Sequence, residues 1–222
     1  MNQRSQFPPL DLPEELARCG GWTPEVYRDM LAYQSGRLDK AEFDAKYLYR
    51  KAILVMDLTD FTSSCFNGRE IQAFLRILDA QKICVPVLRE HDADLIRAFA
   101  DDLVALFDDV GRALDAAFEM HRCVQLSCER ALAGDNPPRC CIGIGYGDVY
   151  AIGPNLAMGD EMNRASKLGE DTARGTETLV TENVYKMLRD RKDVDFEPIV
   201  DDAWRFPYFR ASRALRRGSA QA

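Results

Sequence analysis

Two apolar runs, Leu95–Phe99 and Leu103–Phe107, are separated only by Ala100-Asp101-Asp102, a gap that admits little but a tight β-hairpin. Amphipathic helix patterns flank it. Upstream, Gly68–Arg89 carries apolar residues at 71, 74, 75 and 78, one helix face, with Pro86 bending or ending it. Downstream, residues 110, 114, 117, 118, 121 and 124 mark a second face, closed by Gly134 and Pro137-Pro138. Ahead of the first helix, Ala52–Met56 is a continuous apolar run, read as a buried strand that ends at Asp57. After the second helix, Cys140–Gly147 alternates glycine with apolar residues, a strand whose backbone is closely approached. The order β–α–β–β–α–β predicts an α+β chain with a ferredoxin-like split βαβ sheet and helices on one face. A C-terminal αβ extension follows: helix Gly159–Leu168, strand Leu179–Thr181, helix Glu182–Arg189 and strand Trp204–Arg210.

At 222 residues with 46% apolar and 29% charged side chains, the chain suits one domain with extensions and buries a real core. The polar, loosely amphipathic residues 1–50 read as an N-terminal helical arm, 51–212 as the main domain and 213–222 as a solvated tail. The longest apolar runs are about five residues against the ~20 a membrane helix needs, and the opening residues do not read as a secretory signal. A net charge of −7 without a basic stripe argues against nucleic-acid polymers; a small anionic ligand would need a metal or a backbone nest. Seven cysteines without C-x-x-C, mostly in apolar stretches, read as buried thiols of a reducing, cytoplasmic compartment. His91 and His121 have no partner at metal-ligand spacing and read as structural.

The chemistry centres on carboxylates. Asp57 ends the first strand and Asp101 tips the hairpin that lies beside it, so the two converge on one sheet edge. Isolated loop aspartates ordinarily cap turns. A pair so placed instead offers the oxygen ligands that hard divalent cations take, and two such ions polarise a triphosphate and a hydroxyl nucleophile together. A haloacid-dehalogenase-like reading fails because Thr59 stands where a second aspartate is required. A diguanylate-cyclase reading of Met158–Met162 fails because that string starts a helix and not a hairpin.

Four segments resemble the class III nucleotidyl cyclases. Ile53–Thr62 (ILVMDLTDFT) is similar to their first metal motif, with Asp60 in place of a glycine. Residues 97–107 (RAFADDLVALF) resemble K-x-x-G-D-x-x-x-A-x-F, Ile142–Tyr150 the G-x-N-x-G-x-V strand, and Asn163–Leu168 the segment V-N-x-A-S-R-L. The resemblance covers about residues 50–210 and implies a class III cyclase fold. It implies that Asp57 and Asp101, helped by the Leu58 carbonyl, bind two Mg²⁺ or Mn²⁺ ions. It further implies that backbone amides around Phe61 and Thr62 hold the terminal phosphates, that Asn163 orients the ribose, and that Lys167 stabilises charge on the α-phosphate. The family's head-to-tail dimers imply a homodimer, one copy supplying carboxylates and the other the base and transition-state contacts.

The departures are informative. Lys167 replaces the usual arginine, keeping the charge but losing the planar fork; Arg164 and Arg174 are the alternative cations. Arg205 is the nearest counterpart of the family's phosphate-contacting lysine. The base-selecting positions read Arg97, a pure donor, and Leu156, which offers no acceptor to an exocyclic amine. That pair suits a base with carbonyls at its edge: uracil first, guanine second, with cytidylate and adenylate cyclases also open. The combination resembles the pyrimidine cyclases of bacterial anti-phage (Pycsar) systems, which implies cUMP or cCMP as product and a separate effector that reads it; with Arg97 and Leu156 the expected substrate is UTP and the product cUMP. A degenerate, non-catalytic nucleotide-sensing domain is the alternative.

Overall fold

The apolar run ending in Asp57 forms the middle of β1 (Leu48–Leu58), with Ala52–Met56 wholly buried. The computed structural model describes residues 9–59, 70–128, 139–152, 156–200 and 204–214. Its contacts divide the chain into two units, 1–49 with 150–158 and 50–149 with 159–222.

In the smaller unit, α1 (Pro13–Cys19), α2 (Pro24–Gln34) and α3 (Lys40–Tyr47) start at caps that the sequence encodes. Proline opens the first two, and Asp39 with Glu42 closes a reciprocal capping box on the third. Phe43 is buried among the rings of Tyr33, Tyr47 and Tyr150, and Asp29 accepts hydrogen bonds from Lys46 (2.8 Å) and Tyr47 (2.7 Å). The end of β4 (Cys140–Ile152) pairs here antiparallel with the short β5 (Leu156–Met158).

In the larger unit, β1 is followed by α4 (Glu70–Glu90), β2 (Leu95–Phe99), β3 (Asp102–Phe107), α5 (Val110–Cys128) and β4. The strand order is β2-β3-β1-β4, the split arrangement expected, and it continues through β6 (Thr178–Thr181), β8 (Tyr208–Arg213) and β7 (Val194–Ile199). Between β4 and β6 lie α6 (Asp160–Ser166) and a π-helical turn, Lys167–Thr172; α7 (Glu182–Leu188) follows β6. Pro86 lies within α4 and does not end it.

Three points refine or correct the expectation. First, α4 and α5, the helices of the β–α–β–β–α–β order, share one face as expected, and α6 of the extension covers the other. The even residues of β1 and β4 (Ala52, Leu54, Met56; Cys140, Ile142, Ile144) join the core with Ala80, Cys84 and Leu88 of α4 and Leu114 and Met120 of α5. The opposite face of β4 presents Gly143, Gly145 and Gly147 to α6. A Cβ on Gly143 would collide with the Ala165 carbonyl, and one on Gly145 would lie 2.6 Å from that of Glu161. The glycine alternation is therefore the seat of a helix. Second, the final strand begins at Tyr208, because Trp204-Arg205-Phe206-Pro207 forms an irregular connection. Third, Val194–Ile199 is a strand that the sequence reading omitted; Pro198 and a half-polar pattern mark it as an edge.

Among the described residues no helix is long and apolar enough to cross a membrane. On α4 the side chains of Ile71, Phe74, Leu75 and Leu78 remain exposed.

Candidate functional site

Strand register brings the acidic residues together. In the β1–β3 ladder the last pair is Met56↔Leu103, both core-facing, so the next step sets Asp57 against Asp102 on the opposite face. Ala100, at positive φ (51°), turns the chain between β2 and β3 and delivers Asp101 beside them. Carboxylate oxygens of Asp57, Asp101 and Asp102 all lie within 4.8 Å of one another. Sequence reasoning named the first two and missed Asp102. Its signal was alternation: it stands two residues before Val104, whose neighbours Leu103 and Ala105 face the core.

The cluster is electrostatically loaded. Burial, with the charges of Asp101 and Asp102, pushes the Asp57 carboxyl up to about 7. Asp102 is raised by burial and by Asp101. Glu170, on the π-helical turn, is raised by burial and by Asp102, so it faces the same cluster; it too was missed. The charge of Arg97, opposite Val104 on β2, offsets part of the rise at both Asp102 and Glu170. Its Nε is buried with no hydrogen-bond partner among the described residues.

The donor set fits a hard divalent cation. It consists of carboxylate oxygens only, gathered closely enough to repel one another, and a cation relieves that repulsion. Leu58 is buried directly beside Asp57.

Asn163 and Lys167 lie elsewhere in the larger unit. Asn163 is exposed on α6, and the Lys167 N–H donates to its carbonyl across the start of the π turn. The Lys167 ammonium lies over the Trp204 ring, 4.3 Å from its centroid. The π turn thus aims Glu170 at the carboxylates and Lys167 at the aromatic connection. Arg164 pairs with Glu161 (2.9 Å) and covers Phe206; Arg174 and Arg205 are exposed. Phe61 and Thr62 lie outside the described residues, as does the side chain of Leu156, whose backbone forms the start of β5.

Glu161, which the sequence reading met only inside the rejected string Met158–Met162, is a buried carboxylate of a different kind. It accepts hydrogen bonds from the Tyr146 N–H (3.0 Å), Thr181 (2.7 Å), Asn183 (3.1 Å) and Arg164 (2.9 Å). Under it, Gly145 and Gly147 leave the space its backbone and side chain fill. His121 is structural. It lies between the Cys140 Sγ (3.3 Å) and the Thr178 hydroxyl (3.0 Å), and burial pulls its imidazole down to about 4.

No protein-family model matches the sequence, and no curated protein does. The fold has clear relatives among solved structures. The adenylyl cyclase CyaB from P. aeruginosa is 18% identical, over 76% of this chain and 97% of that one, with a TM-score of 0.63. The guanylyl cyclase Cya2 is 20% identical over 78% and 96% of the two chains, TM-score 0.62. The guanylate cyclase domain of RhGC from Catenaria anguillulae, solved in complex with GTP, is 16% identical over 76% and 99%, TM-score 0.60. The chain has the α+β fold of these class III cyclase domains.

Proposed function

We propose that this chain is a nucleotidyl cyclase that converts a nucleoside triphosphate, UTP by preference, into the 3′,5′-cyclic monophosphate and pyrophosphate. The observation that carries the reading is the trio Asp57, Asp101 and Asp102, gathered at one edge of a cyclase fold with Asp57 held near neutrality. Asp57 and Asp101 would hold two Mg²⁺ or Mn²⁺ ions, with the Leu58 carbonyl assisting and Asp102 beside them. When bound, the ions neutralise the triphosphate and acidify the ribose 3′-hydroxyl. In the reaction the 3′ oxygen bonds to the α-phosphorus, the bond to the bridging oxygen breaks, the hydroxyl proton leaves to water and pyrophosphate departs.

The remaining roles follow the resemblance. Backbone amides at Phe61 and Thr62 hold the terminal phosphates, Asn163 orients the ribose and Lys167 offsets charge on the α-phosphate. Arg97 donates to base carbonyls while Leu156 accepts nothing from an exocyclic amine, which favours uracil. The enzyme works as a homodimer. One copy brings Asp57 and Asp101; the other brings Arg97, Leu156, Asn163 and Lys167. Two facts support this: the Lys167 ammonium lies over the Trp204 ring, and the exposed apolar stripe of α4 suits burial against a second copy. We place the enzyme in the cytoplasm, with cUMP as an anti-phage signal read by a separate effector.

Incubating the protein with each of the four ribonucleoside triphosphates and Mn²⁺, then separating the products, tests this. Cyclic UMP as the main product is expected; cyclic AMP alone would overturn the roles of Arg97 and Leu156. One observation favours a second reading, a nucleotide sensor without turnover: two of the candidate cations, Lys167 on Trp204 and Arg164 on Glu161, are already engaged. Nucleotide binding with no cyclic product from any of the four would decide for it.

A further inference from the structure

We infer that Trp204 is a positioning residue that immobilises the Lys167 ammonium, so that a flexible lysine does the work of a rigid guanidinium fork. The inference rests on reading Lys167 as the cation that faces the α-phosphate. Its geometry is a closed loop of contacts. The ammonium lies 4.3 Å from the centroid of the Trp204 ring. The indole Nε1–H donates to the Thr172 hydroxyl at 2.6 Å, and that hydroxyl donates to the Lys167 carbonyl at 2.7 Å. One tryptophan therefore engages both ends of the π-helical turn, the side chain at its first residue and the hydroxyl at its last. π-Helical turns are rare and recur at functional sites.

The tryptophan is itself anchored. Its ring stacks on Phe206 (6.2 Å, 17°), and both pack against the buried cluster Cys141, Leu168, Ala173, Leu179 and Tyr208. Arg164, three residues before Lys167, covers Phe206, so a cation of α6 and a cation of the π-helical turn rest on the two stacked rings. Their chemistry differs. Arg164 spends donors on Glu161, whereas a ring face holds an ammonium by its charge and leaves its N–H donors available to a phosphate. A lysine at the end of four rotatable bonds would otherwise have to be ordered by substrate at each turnover.

The test compares Trp204→Leu, Trp204→Phe and Lys167→Met. Trp204→Leu is expected to lower kcat about tenfold or more while KM stays within about twofold. Trp204→Phe, which keeps the ring face, should recover most of the loss, and Trp204→Leu added to Lys167→Met should cost nothing further. Independent, additive losses, or a phenylalanine variant as poor as the leucine one, would overturn the inference. A second readout needs no turnover. In a Trp22→Phe background Trp204 is the only tryptophan. Its emission intensity should rise in Lys167→Met and stay constant in the control Lys186→Met; an unchanged spectrum in Lys167→Met would show that the clamp does not exist in solution. Absence of cyclic product from the unmodified protein would instead remove the cyclase reading, with the emission experiment still deciding the clamp.

Discussion

Two carboxylate sites lie on the same side of the sheet and are handled in opposite ways. Glu161 is buried and accepts from an amide, a hydroxyl, a carboxamide and a guanidinium, so its charge is spent inside the protein. Asp57, Asp101 and Asp102 lie close together with like charges in repulsion, and the Asp57 carboxyl is pushed up to about 7. Burial alone does not distinguish a structural acid from a ligand. The number of donors aimed at it does. A carboxylate that the fold has satisfied is part of the scaffold, and one that it leaves in repulsion awaits something else.

The largest expected effect that sharpens this contrast is catalytic. Asp57→Ala or Asp101→Ala should lower cyclase turnover by about a thousandfold or more. In EDTA the same variants should melt at the wild-type temperature or above it, because each removes a repelling charge. Retained turnover in either variant would break the assignment of these residues to metal.

Glu161 should behave in reverse. Glu161→Leu strands the donors of Tyr146, Thr181, Asn183 and Arg164 and is expected to cost about 2–4 kcal/mol, read from urea denaturation. A variant as stable as the wild type would show that the network is ornamental, and the contrast with Asp57 would lose its meaning.

The next effect concerns what seats α6 on the sheet. Gly143→Ala would drive a methyl group into the Ala165 carbonyl and against the Gly169 N–H at 2.5 Å, all of it backbone that has little room to give. A loss of about 1–3 kcal/mol is expected from the denaturation midpoint. A neutral substitution would mean that α6 does not lie flush on β4.

Much of this was legible in the residues. The run Ala52–Met56 and the hairpin Leu95–Phe107 announced themselves because continuous apolar runs around a short turn have few alternatives. Asp57 and Asp101 were legible as strand-end and turn-tip residues. Asp102 and Glu170 were not, for their placement depends on strand register and on a π-helical turn, and neither leaves a local pattern. Trp204 and Phe206 imitated a strand by alternation, yet they meet the cations Lys167 of the π-helical turn and Arg164 of α6; their aromatic character fitted both uses. The edge strand Val194–Ile199 escaped because one face packs and the other is wet, so its polar half diluted the signal. The glycines of β4 correctly predicted a close approach without revealing that the visitor was a helix.

The smallest effect separates the two carboxylate sites by pH. The Asp57 carboxyl is raised in the folded protein, to about 7, above its unfolded value of about 3.9. Between those values the folded state binds the extra proton, so the contribution of Asp57 to metal-free stability is full below about pH 4 and is lost as pH rises through about 7. In EDTA the melting temperature of Asp57→Asn relative to wild type should therefore climb from pH 5 to pH 8. Mn²⁺ reverses the dependence, because the ion competes with that proton: its stabilisation of the wild type should grow over the same interval. Asp57→Asn should abolish this growth and Glu161→Gln should preserve it. A Mn²⁺ shift that is flat with pH in the wild type would separate Asp57 from the metal and return the trio to the status of ordinary surface acids.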